Sequence, residues 1–387
     1  MKITRIHERT VPLRANISNS LVNFSHHTIS LVTLVTDVIR NGRPVVGVAF
    51  DSIGRYGQAG ILHDRMIPRL EQAKPDDYLA EDGRSVDAAK VLKIVMQNEK
   101  PGGHGDRAHA AAAIEYAVWD LNAKLADVPA WKLIADHFGV EARASMPVYA
   151  AGGYYYETDS LNRLKDEIRS YQDMGYTAFK MKIGGAPLTE DMRRIEAAIE
   201  AAGDAKALSV DANGRFGLDE ALAYGKAMAD FGLRWYEEPG DPADYALMAV
   251  LAGDYPHPLA TGENLFSAID ARNLVLYGGM RPGIDLFQMD PAISYGINEY
   301  AAMIATLEAN GYSRAQMFPH GGHMLALHTV VGFGIGGSEA YPGVFAPFGG
   351  FSPGCKVADG TVSPTDAPGF GLEEKPDLYD CFRDLLD

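Results

Sequence analysis

The chain has 387 residues, of which 47% are hydrophobic and 22% charged, and its formal net charge at pH 7 is −16. These proportions are those of a folded globular protein and exclude a disordered or fibrous one. The acidic balance argues against a protein that binds nucleic acid or an anionic membrane, because either would need a basic surface. A small anionic substrate, held by a metal and a few local lysines, is compatible with it.

Cysteine content and hydropathy bear on the cellular location. The two cysteines, Cys355 and Cys381, are too few for a disulfide framework. The N-terminal stretch MKITRIHERTVPLR lacks the apolar run of a signal peptide, and no segment approaches the roughly 20 apolar residues of a membrane span. We therefore expect a cytoplasmic protein with no membrane contact.

The first third of the chain predicts an α+β domain. Residues 1–50 are rich in β-branched residues and break at NGR, which indicates strands joined by a hairpin. Residues 64–100 are helical in pattern, with a loop predicted at KPDD. Residues 108–126 combine good helix formers with apolar residues at helical spacing, which predicts a buried helix. We expect an α+β capping domain over residues 1–140.

From Met146 the pattern becomes a repeat of about 26–30 residues, in which a short apolar run is followed by an amphipathic helix. The eight runs are MPVYAAGG, AFKMKIGG, ALSVDANG, WYEEPG, LATGENLF, IDLFQMD, AQMFPHGG and GFGIGGSEA. Eight is the number that a closed (β/α)₈-type barrel requires, so we predict an α/β barrel over residues 141–341. The Pro- and Gly-rich residues 342–387 are expected to pack back on the barrel and the cap.

Ionisable residues end most of these runs. In a barrel of this type the catalytic groups lie at the C-terminal ends of the strands. The residues at those ends are Lys180 and Lys182, Asp211, Glu237 or Glu238, Glu263, Asp290, His320 and Glu339.

Three consecutive strands end in carboxylates: Asp211, then Glu237 or Glu238, then Glu263. Carboxylates that share one pocket repel each other unless a cation neutralises them, and ligation by oxygen alone suits Mg²⁺. The alternative is that each acid only caps the helix that follows it.

Two lysines and one histidine are the candidates for proton transfer. Lys180 and Lys182 are two residues apart on a strand and so share the inward face. A lysine beside a divalent cation has a lowered pKa and can act as a base, although pairing with a metal-binding carboxylate is expected to be much of the role of Lys180. His320 can pair with Asp290, whose carboxylate would fix its tautomer and favour the imidazolium.

Taken alone, His320 could equally be a structural histidine. His323 and His328 are interpreted as structural.

The motifs FKMK, VDANG, WYEEP, ATGEN, QMDP and PHGGH occur in an order and spacing that resemble the enolase superfamily, in particular its mandelate racemase-like branch. The resemblance implies that Glu237 is the glutamate that joins Asp211 and Glu263 in holding the metal. It also implies that Lys182 and the His320–Asp290 pair stand on opposite faces of the substrate. Glu339 would hydrogen-bond the substrate carboxylate.

Within that branch, GRYGQ, NEKPGGHG, YAAGGYYY, KMKIGGAP and GGMRP resemble the D-tartrate dehydratases. This resemblance implies substrate contacts from four residues: Asn19, Lys100, Tyr154 and Asn213. It also places an asparagine where this chain has Ile53, and a polar partner lost there would leave a substrate hydroxyl unpaired.

The expected activity is a Mg²⁺-dependent dehydration of a small 2,3-dihydroxy acid to a 2-keto acid, with D-tartrate giving oxaloacetate. Barrels of this branch are commonly symmetric, so a homo-oligomer is expected.

Three further classes of function are compatible with the same residues. The first is a racemase or epimerase in which both Lys182 and His320 move the C2 proton, or a dehydratase of another hydroxy acid or sugar acid. The second is a non-catalytic carboxylate-binding module. The third is a metal-dependent hydrolase, which would usually show more histidine ligands.

Overall fold

The computed structural model describes residues 1–156 and 158–386. The described chain forms an N-terminal cap, a barrel and a C-terminal segment that touches both. Within these residues, no helix has both the length and the apolar character that crossing a bilayer requires.

The cap is built on a three-stranded antiparallel sheet in the order β1-β2-β3. Its strands are β1 (Ile3–Pro12), β2 (Thr28–Arg40) and β3 (Arg43–Phe50). The predicted hairpin at NGR is confirmed, because Arg40 pairs with Arg43 across the turn. Asn41 and Gly42 have φ values of 52° and 78°, the left-handed conformation that a two-residue hairpin turn requires.

Six α-helices complete the cap: α1 (Ala59–Ile61), α2 (Ile67–Gln72), α3 (Pro75–Tyr78), α4 (Ala88–Val95), α5 (Asp106–Ala126) and α6 (Ala130–Phe138). A π-helical turn (Leu62–Met66) joins α1 to α2, and a 3-10 helix (Phe24–His26) precedes β2. The buried helix predicted over 108–126 is confirmed as α5. The loop predicted at KPDD is wrong, because α3 begins there. Proline suits the first position of a helix, and the Asp77 carboxylate accepts a hydrogen bond from the Lys74 N–H at 2.9 Å.

The barrel strands are parallel neighbours in chain order: β4 (Met146–Ala151), β5 (Phe179–Lys182), β6 (Leu208–Asp211), β7 (Tyr236–Glu237), β8 (Leu259–Thr261), β9 (Leu286–Phe287) and β10 (Ser338–Ala340). Residues 317–320 occupy the position between β9 and β10, where the Phe318 N–H donates to the Phe287 carbonyl at 2.8 Å. β10 pairs with β4 and closes the ring. The predicted (β/α)₈-type barrel is therefore confirmed.

The helices of the barrel are α7 (Ser160–Asp173), α8 (Leu188–Ala202), α9 (Leu218–Met228), α10 (Tyr245–Asp254), α11 (Ala268–Tyr277), α12 (Ile297–Ala309) and α13 (Met324–Phe333). Gly203, the residue that follows α8, has a φ of 81°. That left-handed conformation turns the chain away from the helix axis and towards the next strand.

The C-terminal segment contains β11 (Val357–Ala358), β12 (Thr361–Val362) and α14 (Pro376–Tyr379). β12 pairs antiparallel with β4 of the barrel. The Phe370 N–H donates to the Asp120 carboxylate of α5 at 2.9 Å. The segment thus joins the first barrel strand to the central helix of the cap.

Candidate active site

Three carboxylates meet at the C-terminal ends of neighbouring barrel strands. Asp211 ends β6 and Glu237 ends β7, and the two residues are partners in the register of these strands. Glu263 follows β8 by two residues. One oxygen of each lies within 4.8 Å of the others. Asp211 and Glu237 are fully buried.

The electrostatics of this cluster fit a divalent cation. Burial, and after it the charge of Asp211, raises the pKa of Glu237 to about 8. Carboxylates forced this close need positive charge between them, and an all-oxygen donor set is the one that Mg²⁺ prefers. Asp211, Glu237 and Glu263 are therefore placed to hold a divalent cation, and their donor set is typical of a Mg²⁺ site.

These acids do not cap the helices that follow them. The residues that precede α9, α10 and α11 are Gly217, Asp244 and Ser267. The helix-cap interpretation of the three carboxylates is therefore wrong.

Glu238, the alternative to Glu237 as the metal-binding glutamate, is buried and has a φ of 38°. Its carboxylate accepts a hydrogen bond from the side chain of Asn264 at 2.9 Å, and it lies outside the three-carboxylate group.

Lys180 lies among carboxylates. Its Nζ is 2.5 Å from Glu237 Oε1, 2.8 Å from Glu339 Oε1 and 3.3 Å from Asp211 Oδ2. The expected pairing of Lys180 with metal-binding carboxylates is thus confirmed.

Lys182 reaches the same cluster from two residues further along β5. Its Nζ donates to Asp211 Oδ2 at 2.6 Å. Burial lowers the pKa of Lys182, but the charge of Asp211 outweighs burial and brings that pKa above its ordinary value. This direction is opposite to the one expected for a lysine beside a bound cation, because here the ammonium faces an anion.

His320 and Asp290 form the predicted pair. His320 Nδ1 donates to Asp290 Oδ2 at 3.0 Å. Burial lowers the pKa of His320, but the carboxylates of Glu263, Asp290 and Glu339 outweigh it and raise that pKa to about 9. These carboxylates favour the imidazolium, which can donate a proton.

Tyr341 connects this imidazolium to Glu339. Its hydroxyl donates to Glu339 Oε2 at 2.8 Å and lies 2.8 Å from His320 Nε2. Tyr341 is not among the site residues predicted from the sequence. The signal was present, because residues two apart on a strand face the same side, and Glu339 faces the barrel interior.

Lys182 and His320 line one cavity of about 220 Å³. Its full lining is Asn19, Leu21, Val22, Phe24, Ile53, Gly54, Tyr154, Lys182, Asn213, Glu238, Glu263, Asn264, His320, Tyr341 and Phe345. Both the cap and the barrel therefore contribute walls.

Three of the four predicted substrate contacts line this cavity: Asn19, Tyr154 and Asn213. Asn19 Oδ1 already accepts the N–H groups of Leu21 and Val22. Asn213 Oδ1 is buried and has no hydrogen-bond partner among the described residues.

Lys100 is not part of the lining. It borders a separate groove of about 750 Å³ between α4 and the start of α11. Its place in the site stays a prediction, and Ile53, 1% exposed, supplies an apolar wall where the resemblance implies a polar one.

Both domains of the chain match known families. Residues 10–135 match "Mandelate racemase / muconate lactonizing enzyme, N-terminal domain", and residues 163–378 match "Enolase C-terminal domain-like". Together the two matches span the cap and most of the barrel.

Individual relatives are enzymes of sugar acids. The chain is 28% identical to a 3,6-anhydro-alpha-L-galactonate cycloisomerase of Streptomyces coelicolor, over 94% of this chain and 95% of that one. It is 30% identical to an L-talarate/galactarate dehydratase of Salmonella typhimurium, over 86% and 77%. A crystal structure of a racemase from Streptomyces coelicolor with bound magnesium superposes with a TM-score of 0.77 at 26% identity, covering 95% and 96%. None of these three is a tartrate dehydratase.

Proposed function

Because the chain belongs to the mandelate racemase/muconate lactonizing enzyme family of the enolase superfamily, we propose that it is a Mg²⁺-dependent acid-sugar dehydratase. The observation that carries this proposal is the pair of side chains that faces the cavity. Lys182 can accept a proton as the neutral amine once a bound cation offsets the charge of Asp211, and the carboxylates around His320 favour an imidazolium that can donate one. A dehydratase and a cycloisomerase among the relatives support chemistry that starts next to a carboxylate.

The reaction removes water from a 2,3-dihydroxy acid. Bound Mg²⁺ supplies positive charge that offsets the negative charge growing on the substrate carboxylate. Lys182, as the neutral amine, takes the C2 proton, and the electron pair of that C–H bond moves towards the carboxylate. Electrons then form the C2–C3 double bond as the C3–O bond breaks, and His320 Nε2 protonates the departing hydroxyl. The enol that remains becomes the 2-keto acid.

The other buried groups orient these two. Asp290 holds the ring of His320 through Nδ1, so Nε2 is the nitrogen that faces the cavity side and Tyr341. Lys180 neutralises part of the charge of Glu237 and Glu339. The resemblance to the enolase superfamily implies that Glu339 hydrogen-bonds the substrate carboxylate, for which Glu339 must carry a proton. In the structure its carboxylate accepts from Tyr341 and pairs with Lys180, and it lies outside the cavity lining.

We propose D-tartrate, which would give oxaloacetate, as the first substrate to test. The five sequence motifs shared with D-tartrate dehydratases support it, and so does a cavity of only about 220 Å³, which suits a short acid. Because Ile53 stands where those enzymes have an asparagine, we expect one substrate hydroxyl to lack a hydrogen bond here and the substrate to bind more weakly.

The test is to mix the purified protein with Mg²⁺ and a panel of acids, and to measure 2-keto acid. The panel contains the three stereoisomers of tartrate, galactarate, L-talarate, arabinonate and galactonate. We expect keto acid from D-tartrate, and none from any member once EDTA has removed the metal.

Each other outcome has a definite meaning. Turnover of the five- and six-carbon acids alone would contradict D-tartrate and keep dehydration. Exchange of the C2 hydrogen with solvent deuterium without keto acid would favour the racemase or epimerase. Tight binding of an acid with neither exchange nor keto acid would favour a binding module.

A further inference from the structure

A chain of hydrogen bonds runs behind His320 on the side away from the cavity. Asp290 Oδ2, which holds His320 Nδ1, also accepts a hydrogen bond from Ser52 Oγ at 2.5 Å. Ser52 Oγ lies 3.0 Å from His323 Nε2. All four side chains are buried. The sequence pattern marks neither Ser52 nor His323 as part of the site.

The donor and the acceptor of each hydrogen bond between His323, Ser52 and Asp290 are determined. His323 precedes α13, and its Nδ1 accepts the Ala326 N–H at 3.2 Å. Burial lowers the pKa of His323 to about 4, so the neutral ring carries its proton on Nε2 and donates it to Ser52 Oγ. Ser52 must then donate its own hydrogen to Asp290 Oδ2.

The backbone around Asp290 is equally constrained. Its other oxygen, Oδ1, accepts the Ala292 N–H at 2.8 Å. The Ser52 carbonyl accepts a hydrogen bond from His109 Nε2 at 2.9 Å. Both carboxylate oxygens and the backbone of Ser52 are thus held.

The absence of a side chain at Gly321 leaves room for these hydrogen-bonded side chains. A Cβ on Gly321 would lie 2.6 Å from Asp290 Oδ2 and 3.0 Å from both His323 Nε2 and Ser52 Oγ. Its φ of 106° is a conformation that side-chain-bearing residues rarely adopt. The glycine next to His320 is therefore required by this arrangement.

We propose that Ser52 and His323 are positioning residues for the acid step, acting in series through Asp290 to hold His320 with Nε2 towards the substrate. The proposal rests on the proposed role of His320 as the acid. The hydrogen bonds from Ser52 Oγ and from the Ala292 N–H leave the Asp290 carboxylate one orientation in which it can accept from His320. Residues that hydrogen-bond the ligands of a metal ion orient those ligands in the same way. Ser52 belongs to the cap and His323 to the barrel, so the acid is oriented only when the two domains are packed together.

Two substitutions break the chain at different links. Ser52→Ala removes the donor to Asp290. His323→Asn removes the Nε2–H group but keeps a side chain that is a good helix N-cap, so α13 keeps its cap. Ser209→Ala is the matched control, because Ser209 Oγ is also buried in the barrel and has no hydrogen-bond partner among the described residues.

The kinetic readout separates the two halves of the reaction in the Mg²⁺-loaded enzyme. We expect keto-acid formation to fall by roughly 10–100-fold in Ser52→Ala and in His323→Asn. Exchange of the C2 hydrogen in D₂O, which depends on Lys182, should change by less than about twofold on the same scale. The double variant should lose no more than the single ones, since both act through one carboxylate.

A proportional loss of exchange and elimination, additive losses in the double variant, or no loss at all would overturn the proposal. So would the same loss in Ser209→Ala.

A second readout needs no substrate. The His320 Nδ1 proton, hydrogen-bonded to a buried carboxylate, should give a strongly downfield ¹H NMR signal that His320→Asn removes. We expect Ser52→Ala and His323→Asn to shift or broaden this signal, and Ser209→Ala to leave it in place. An unchanged signal in both variants would overturn the positioning role. An enzyme that processes no acid but shows these shifts would contradict the proposed function alone.

Discussion

Lys182 and His320 differ in the charge that faces them, and this difference supports their proposed roles as base and acid. Lys182 contacts one carboxylate, that of Asp211, which a bound cation would share. His320 is held by Asp290 and also faces Glu339, and neither carboxylate belongs to the group that would hold the cation, so His320 keeps its proton.

Replacing each residue should therefore stop a different step. We expect Lys182→Ala to lose both C2 exchange and keto-acid formation by roughly 10²–10⁴-fold, the usual contribution of a positioned base. His320→Asn should lose keto-acid formation and keep exchange. Both are measured by ¹H NMR in D₂O with a keto-acid assay. Lys206→Ala, at an exposed position, is the control, and full turnover by Lys182→Ala would contradict the base assignment.

The hydroxyl of Tyr341 is a neutral group that contacts both His320 and Glu339. We expect Tyr341→Phe to lower kcat by roughly 10–100-fold, because a hydrogen bond to a charged group is worth about 1.5–3 kcal/mol. Tyr255→Phe is the matched control, since that hydroxyl is buried and has no hydrogen-bond partner among the described residues. Equal kcat values for the two variants would show that the Tyr341 hydroxyl has no part in catalysis.

The sequence predicts a site residue when the strand that carries it determines its position. The ends of β6 and β7 follow from local pattern, and Asp211 and Glu237 are where that pattern puts them. Ser52 reaches Asp290 across 238 residues of sequence, through the packing of cap on barrel. Nothing in the stretch around Ser52 contains that information, and the same holds for the place of Lys100.

Among the elements, α5 and the cap sheet make an unusually close contact of a helix with a strand. Gly47 on β3 lets the helix approach, and a Cβ there would lie 2.1 Å from the Ala117 carbonyl oxygen and 2.6 Å from Leu121 Cβ. In a close-packed interior neither the Ala117 backbone nor the Leu121 side chain can move away without a large cost in free energy.

Gly47→Ala should therefore destabilise the protein by about 1–3 kcal/mol or more, as overpacked cores do. Urea denaturation measures the change. Gly60→Ala is the control, because a Cβ at Gly60 meets nothing within 4 Å and alanine is the better helix former. If Gly47→Ala proved as stable as that control, the close contact of α5 and β3 would be wrong.

Element boundaries were predictable where the pattern is strong and were wrong where it is short. The helix α5 and the eight barrel positions follow from long periodic stretches. The four residues KPDD look like a turn by composition, yet their proline and aspartates equally suit the first turn of a helix, which they form. A single stretch of four residues cannot distinguish the two.

Acid sensitivity is a property of the whole molecule, and buried histidines contribute to it. Burial lowers the pKa of His328 from 6.5 to about 3. The unfolded chain therefore binds this proton more readily than the folded one. The stability that the neutral histidine allows is fully present above pH 6.5 and is lost as the pH falls below it.

Between pH 7.5 and 5.5 this one group should cost about 1.4 kcal/mol of unfolding free energy. His328→Asn removes the titration and keeps an acceptor for the Trp131 N–H, which now donates to His328 Nδ1 at 3.3 Å. We expect the variant to lose about that much less stability than the wild type over the same pH range, measured by urea denaturation. Identical losses in the two proteins would contradict the burial of a neutral His328.

The hydrogen bond from Phe370 to Asp120 joins residues 250 positions apart. On the ribosome, at roughly 5–20 residues per second, the cap helix would wait about 10–50 s for this partner. The barrel strand β4 likewise waits much longer for β10 and β12 than for β5. The cavity, whose walls run from Asn19 to Phe345, is therefore among the last parts of the protein to be completed. On a nascent chain the acidic cluster would stay open to water from the synthesis of Glu263 until that of Phe345.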